Sequence, residues 1–347
     1  MKGKALTLLA LLLLPSLAQG QGYAGMGAPA PGFDTPKRGT PIVFPKDHGP
    51  HPTFRTEWWY LTANLHGIDG AAYGVQWTLF RHALEAGSGT GWDDRNVFMA
   101  HAAATSATTH VFAETSARAG VGQAGVEAAP FKAFIDDWVF ESLDEAFTQA
   151  RLVASAPRFS YALTLTRNGP FVLQGDAGFS EKSQEGQASH YYSQPFFTVG
   201  GRLTLDGHET TVTGRAWMDR EWSSQSLAPD QKGWDWFSLH LASGDEVMLF
   251  RFRGRRDYLS GNWISRSGET NLLTAEDISL EPLARTAIGE KKLPTRWRVR
   301  VKSRGLDVEV APLNEKSWMG AAFSYWEGPI VVSGSHSGEG YLELTGY

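Results

Sequence analysis

The chain has 347 residues, with 32 Lys+Arg against 37 Asp+Glu and a formal net charge of −5. Its apolar fraction of 42% suffices for a sizeable core, so either one large all-β domain or two ordinary domains fit this length. The absence of cysteine excludes disulfides, thiolate nucleophiles, Cys-ligated zinc, iron–sulfur centres and an N-terminal lipid anchor, and a mildly acidic balance argues against nucleic acid as a partner.

The first residues read as an export address. Lys2 and Lys4 precede an apolar run from Ala5 to Leu14, Pro15 breaks it, and Ser16-Leu17-Ala18 offers small residues to a signal peptidase. That run is too short to span a bilayer, and no second run of spanning length follows. The expectation is a signal peptide over residues 1–18, cleaved after Ala18 or alternatively Gly20, and a secreted protein of the bacterial periplasm. Residues 19–40, rich in Gly, Pro and Ala, are expected to form a flexible lead-in.

Strand patterns then follow one another in chain order. FRTEWWYLTANL, YGVQWTLFRH, RFSYALTLTR, TTVTGRAWM, WDWFSLHL, EVMLFRFRG, RWRVRVKS and YLELTGY all alternate apolar and polar residues. Turns are marked at Gly67-Ile68-Asp69-Gly70, Asp206-Gly207 and Ser243-Gly244-Asp245. No segment keeps a clean helical period, so the expected class is all-β. An internal repeat sharpens this. Trp58-x-Tyr60-x-Thr62-x-x-Leu65 recurs as Trp234-x-Trp236-x-Ser238-x-x-Leu241, and both copies run on into Leu-Phe-Arg. Near the end of each half, Tyr191-Tyr192-x-x-Pro195 matches Tyr325-Trp326-x-x-Pro329. Repeated blocks in the same order mark repeated units. The architecture expected is two tandem antiparallel β-barrels, residues 41–224 and 233–347, with the extra length of the first half in loops at Ala86–Asp93 and Ala103–Ala129.

Several motifs lack their context. Gly120-x-Gly122-x-x-Gly125 has neither the strand before it nor the helix after it that a dinucleotide site requires. Gly334-Ser335-His336-Ser337-Gly338 has His where a nucleophile elbow needs Ser. His48 and His51, beside Asp47, have no evident third ligand, and their segment is expected to pack over a barrel mouth. No metal or cofactor is expected.

Three aromatic clusters can carry chemistry. On a strand, Glu57 and Trp59 share one face while Trp58 and Tyr60 share the other; Trp217 and Asp219 lie on one face of GRAWMDREW; Trp234, Trp236, Ser238 and His240 align in GWDWFSLHL. Carboxylates among indoles are costly unless paired. Ion pairing of Glu57 or Asp219 with Arg55, Arg215 or Arg220 is the plain alternative to catalysis, and core packing is the alternative for the tryptophans.

The segments TEWWYLTANL, HYYSQP, GRAWMDREW, GWDWFSLHL and YWEGPIVVSGSHSGEGYLELTGY resemble the carotenoid 1,2-hydratase (hydroxyneurosporene synthase) superfamily, and more closely its secreted lipocalin-like bacterial branch, often labelled predicted secreted hydrolases. The resemblance runs from about Pro41 to Tyr347 and implies two lipocalin-like barrels. It also implies a hydrophobic small-molecule ligand, since members hydrate polyene double bonds or bind and fold polyketide chains. Where the hydratases carry a His-Asp element this chain has Met218-Asp219, so the Asp carries over and the His does not.

Alkene hydration needs a protonated acid, a sheltered carbocation and one water. Desolvation keeps a carboxyl protonated, and aromatic faces stabilise a cation. Asp219 is the expected acid, with Glu57 competing. Trp59, Trp217, Trp234 and Trp236 form the wall, and Tyr192 or His190 places water. The rival expectation is a non-catalytic carrier of a lipid or other apolar molecule, in which Arg55 or Arg220 holds a polar head group. A scaffold protein that uses exposed aromatic strand edges is the third.

Overall fold

The alternating segments become strands throughout a computed structural model that describes residues 25–87 and 89–347; the expected signal peptide lies outside the described residues. Thirteen strands form the first sheet: β1 (Thr56–Gly67), β2 (Ala72–Ala83), β3 (Asn96–Ser106), β4 (His110–Arg118), β5 (Ala124–Ala128), β6 (Phe131–Ile135), β7 (Trp138–Ser142), β8 (Gln149–Ala156), β9 (Phe159–Arg167), β10 (Val172–Leu173), β11 (Phe179–Glu181), β12 (Ala188–Leu205) and β13 (His208–Ser223). They hydrogen-bond in the order β4-β3-β2-β1-β13-β12-β9-β8-β7-β6-β5, with β10 and β11 on β12. The sheet curls until β6 packs against β2, β3 and β4, closing around Trp59, Leu61, Trp77, Phe140 and Leu163.

Ten strands form the second: β14 (Gly233–Leu241), β15 (Glu246–Arg253), β16 (Tyr258–Ile264), β17 (Thr270–Leu273), β18 (Ile278–Ile288), β19 (Lys291–Val301), β20 (Leu306–Pro312), β21 (Trp318–Met319), β22 (Tyr325–Gly334) and β23 (Gly338–Thr345). Their order is β17-β16-β15-β14-β23-β22-β20-β19-β18, with β21 on β22, around a core of Phe237, Trp297, Trp326 and Leu342. The chain is thus all-β with two tandem lipocalin-like barrels. The chain passes from one sheet to the other over residues 224–232.

The marked turns join β1 to β2, β12 to β13 and β14 to β15. At the β12–β13 turn both Asp206 and Gly207 have positive φ (49° and 82°), the left-handed pair that matches strand twist in a tight hairpin. One expectation is corrected. Residues 103–129 are not a long loop but the end of β3, then β4 and β5. The misleading feature is their alanine content, since Ala has low strand propensity; tertiary packing overrides it, with Ala104, Ala117 and Ala124 buried in the barrel core.

Strand alternation gives each barrel a second apolar face. On β1, Trp59, Leu61, Ala63 and Leu65 point into the first barrel, while Tyr60 joins a separate core with Trp217, Trp236, Met248, Phe250 and Tyr341, drawn from both barrels. Burial of each large side chain there contributes roughly 1.5–3 kcal/mol. Polar contacts fix the alignment: Asn64 donates to the Gly340 carbonyl (2.9 Å), Tyr341 donates to the Val75 carbonyl (3.0 Å), and Arg215 pairs with Glu246. Gly74 sits at the closest approach, where a Cβ would lie 2.6 Å from Pro329 Cγ and collide with the Tyr341 hydroxyl.

Gly74→Val should therefore push the barrels apart. Overpacking of this kind costs about 1–3 kcal/mol. Thermal unfolding should show a lowered Tm, and an unchanged Tm would mean that the two barrels do not depend on this contact.

Candidate functional site

Between the barrels lies a narrow cleft lined mostly by aromatic side chains. Its walls come from the outward faces of the strands that meet at the interface. In the first barrel, cross-strand pairing sets Trp58 beside Phe80 and Glu221, and Tyr60 beside Thr78 and Asp219. In the second, Trp234 lies opposite Phe252, and Trp236 lies between Phe250 and Glu343. Tyr191, Lys182, Phe323 and Tyr325 complete the lining. Tyr60 and Trp236 meet edge to face with ring centroids 5.4 Å apart, so the repeated aromatic blocks face each other across the cleft.

The duplication also explains the acids. Tyr60 pairs with Asp219 in the first barrel as Trp236 pairs with Glu343 in the second. One strand further, Ser193 opposes Asp219 as Glu327 opposes Glu343. Equivalent places thus hold a Ser–Asp pair in one barrel and a Glu–Glu pair in the other.

These carboxyls are poor places for charge. Burial pushes Asp219 up to about 7 against the hydrogen bonds of Ser193, Tyr191 and Trp217. Ser193 Oγ and Trp217 Nε1 (2.7 Å) both donate to Oδ1. Glu343 is partly open to the cleft, and burial of its carboxyl raises it to about 8. Glu327 is held well above the carboxylate range by burial and then by the facing Glu343, and it accepts a hydrogen bond from the Tyr60 hydroxyl. Like charges directly opposed on neighbouring strands cannot both ionise cheaply. Glu221 differs: it pairs with the buried Lys182 ammonium at 2.8 Å, and that ammonium lies 4.3 Å from the Phe250 ring centroid. Asp219, Glu327 and Glu343 can therefore hold protons near neutral pH inside an aromatic cleft.

The structure divides the sequence-derived candidates between two places. Asp219, Trp234 and Trp236 line the cleft, and Trp217, buried at the interface, donates to Asp219. Glu57, Trp59, Arg220, Tyr192 and His190 lie on the other side of their strands, at one end of the first barrel. There, burial opposes the ionisation of Glu57, but Arg220 and Arg81 outweigh it and hold the carboxyl far below its ordinary range. His51 adds a backbone donor at 2.9 Å and a ring nitrogen at 3.1 Å. Arg220 stacks over Trp59 at 4.0 Å and reaches the Gly49 carbonyl at 2.6 Å, so the segment before β1 is pinned across the barrel end.

In the same region His48 is enclosed by Phe44, Phe147 and Phe171, with Nδ1 2.7 Å from the Tyr192 hydroxyl, and burial lowers it to about 3. His190 packs against Phe54 and Trp222, and burial lowers it to about 4. Arg55 stands at the surface end of β1 and donates to the Pro29 carbonyl at 3.2 Å. The sequence reading named Tyr60 and Tyr191 in its repeated blocks but gave them no role, and it did not single out Lys182, Glu327 or Glu343. For Tyr191 and Glu327 the matched blocks carried a signal, because Tyr191 aligns with Tyr325 and Ser193 with Glu327.

The chain belongs to the AttH-like family, whose profile matches residues 35–347. A crystal structure of an AttH-type protein from Nitrosomonas europaea is 32% identical and superposes with a TM-score of 0.80, covering 91% of this chain and all of that one. Kievitone hydratase from Nectria haematococca is 16% identical, with a TM-score of 0.66 over 90% of this chain and 96% of that one, and shares the fold. A search of curated protein sequences gives no match.

Two stability outcomes follow. Glu57→Gln leaves two buried guanidiniums short of their counter-charge and should cost about 3–5 kcal/mol in urea unfolding. Asp219 has the opposite linkage. Its folded value is raised from 3.8 to about 7, so its stabilisation is complete below about 4 and is lost as pH rises through 7. Asp219→Asn stays neutral throughout. Its Tm relative to wild type should therefore climb by about 1–2 °C between pH 5 and pH 8 for each kcal/mol recovered. A difference that does not change with pH would show that Asp219 is ionised in the native protein.

Proposed function

We propose that the chain binds a hydrophobic, alkene-bearing small molecule between its barrels and adds water across the double bond by carboxylic-acid catalysis. The observation that carries this reading is Asp219: a carboxyl that burial pushes up to about 7 in an aromatic cleft, with Ser193 and Trp217 both donating to one of its oxygens. The fold shared with a protein named as a hydratase supports the same chemistry.

In this reading Asp219 gives its proton to one alkene carbon, and the electron pair of the double bond forms the new C–H bond. The neighbouring carbon becomes a cation flanked by the faces of Trp58, Tyr60, Trp234 and Trp236, each worth on the order of 1–2 kcal/mol when dry. Water adds to the cation and loses a proton to the Asp219 carboxylate that the first step left, so alkene and water give an alcohol and the protein is unchanged. The aromatic walls exclude other nucleophiles. The basic residues and apolar run at the N-terminus support export, and we place the reaction outside the cytoplasm, in the periplasm of a bacterium.

The test is mass spectrometry of apolar extracts incubated with the protein in oxygen-18 water. A product heavier by one labelled water is expected, with at least about a hundredfold loss in Asp219→Asn. Because the acid must be protonated, the rate should fall tenfold per pH unit above about 7. An unchanged compound retained by wild type and variant alike would overturn catalysis in favour of a carrier.

A further inference from the structure

A second recess adjoins the cleft, and Met26, Phe80, Ser226 and Phe323 line both. The two spaces are successive rows of one sheet face. Tyr60 and Thr78 form the deepest row, Trp58 with Phe80 and Met99 the next, and Thr56 with His82 and Val97 the outermost. Along this face the chemistry changes. The deep rows are aromatic and acidic, whereas the recess sets Arg55, Arg81, His82 and Ser and Thr hydroxyls among apolar side chains such as Val97, Met99 and Phe323, with no carboxylate among its described lining residues.

Arg81 already neutralises Glu57. Arg55 lies in no ion pair among the described residues, and its guanidinium donates only to the Pro29 carbonyl, at 3.2 Å. A guanidinium with spare donors at the mouth of an apolar cleft is a receptor for an anion carried on an apolar chain.

We propose that the recess around Arg55 is the head-group subsite for a carboxylate-bearing amphiphile whose unsaturated chain fills the inter-barrel cleft. This rests on the cleft being a hydrophobic-ligand site and adds its substrate class. One planar guanidinium flanked by hydroxyls matches a monoanionic carboxylate in bidentate geometry better than a phosphate dianion. The outermost row and the Tyr60–Asp219 row are four residues apart on β1, about 13 Å at strand spacing, so an extended acyl chain reaches from head group to acid. The negative charge of the ligand then stays near Arg55 and away from carboxyls that must remain neutral.

The experiment titrates the purified chain with cis-parinaric acid and, separately, with its methyl ester, reading energy transfer from the cleft tryptophans to the polyene. The acid is expected to bind about tenfold tighter than the ester. Arg55→Ala and Arg55→Gln should erase that difference while leaving ester affinity unchanged, and the exposed Arg202→Ala should preserve it. Equal affinity for acid and ester in wild type, unmoved by either Arg55 variant, would overturn the subsite and leave the cleft reading intact. Tighter binding of the corresponding alkyl phosphate would overturn the carboxylate assignment. No energy transfer from acid or ester would remove the cleft reading, and the subsite with it.

Discussion

The antiparallel register of β1 and β13 is the constraint on which the rest of this protein depends. Both strands bury side chains on both faces: Glu57, Trp59 and Arg220 turn into the first barrel, while Tyr60, Trp217 and Asp219 turn toward the second. With a side-chain period of two, a slip of one residue would exchange the sets and drive Asp219 into a hydrocarbon core. The Glu57–Arg220–Arg81 cluster guards against that slip, because two guanidiniums and a carboxylate are satisfied in one pairing only. An ion cluster on the opposite face of these strands thus constrains which residues the cleft contains.

Duplication supplied the cleft, and divergence supplied its chemistry. Two sheets with an aromatic outer face each find their best burial against one another, so a dyad of repeats creates a lined seam without further design. Within that seam the equivalent positions have drifted apart. Ser193 donates to Asp219 and fixes one oxygen, whereas Glu327 confronts Glu343 and forces a proton onto the pair. One barrel therefore presents a carboxyl oriented by neutral donors, and the other presents two facing carboxyls that burial and mutual repulsion hold above the ordinary range.

Much of the fold was legible in the sequence because alternation and repetition are local signals. Trp58-x-Tyr60 and Trp234-x-Trp236 announced both the duplication and the residues that now face one another. What could not be read is which face of a strand turns inward when both are apolar. Trp59 and Trp58 are neighbours of equal hydrophobicity, and only the assembled sheet sends one to the barrel core and the other to the cleft. Glu343 was hidden for a related reason: in YLELTGY it reads as the exposed charge of an ordinary alternating strand. It becomes unusual only when β14 and β22 bring Trp236 and Glu327 beside it. Arg81, the main partner that no local pattern connected to Glu57, belongs to the same class of non-local facts.

The acids and the barrel interface are energetically one system. Asp219, Glu327 and Glu343 keep their protons because aromatic side chains from both halves exclude water from them. Keeping them neutral above their ordinary range is a cost that grows with pH, and it is offset by the apolar area buried between the barrels. Any separation of the two halves would hydrate these carboxyls and return them toward the ordinary carboxylate range, so the contacts that hold the halves together also hold the protons in place. In the proposed reaction, a ligand that fills the cleft would displace the remaining water and strengthen that protonation at the moment it is used. The site would then be an acid only while it is closed, which would confine proton donation to a molecule already enclosed between the barrels.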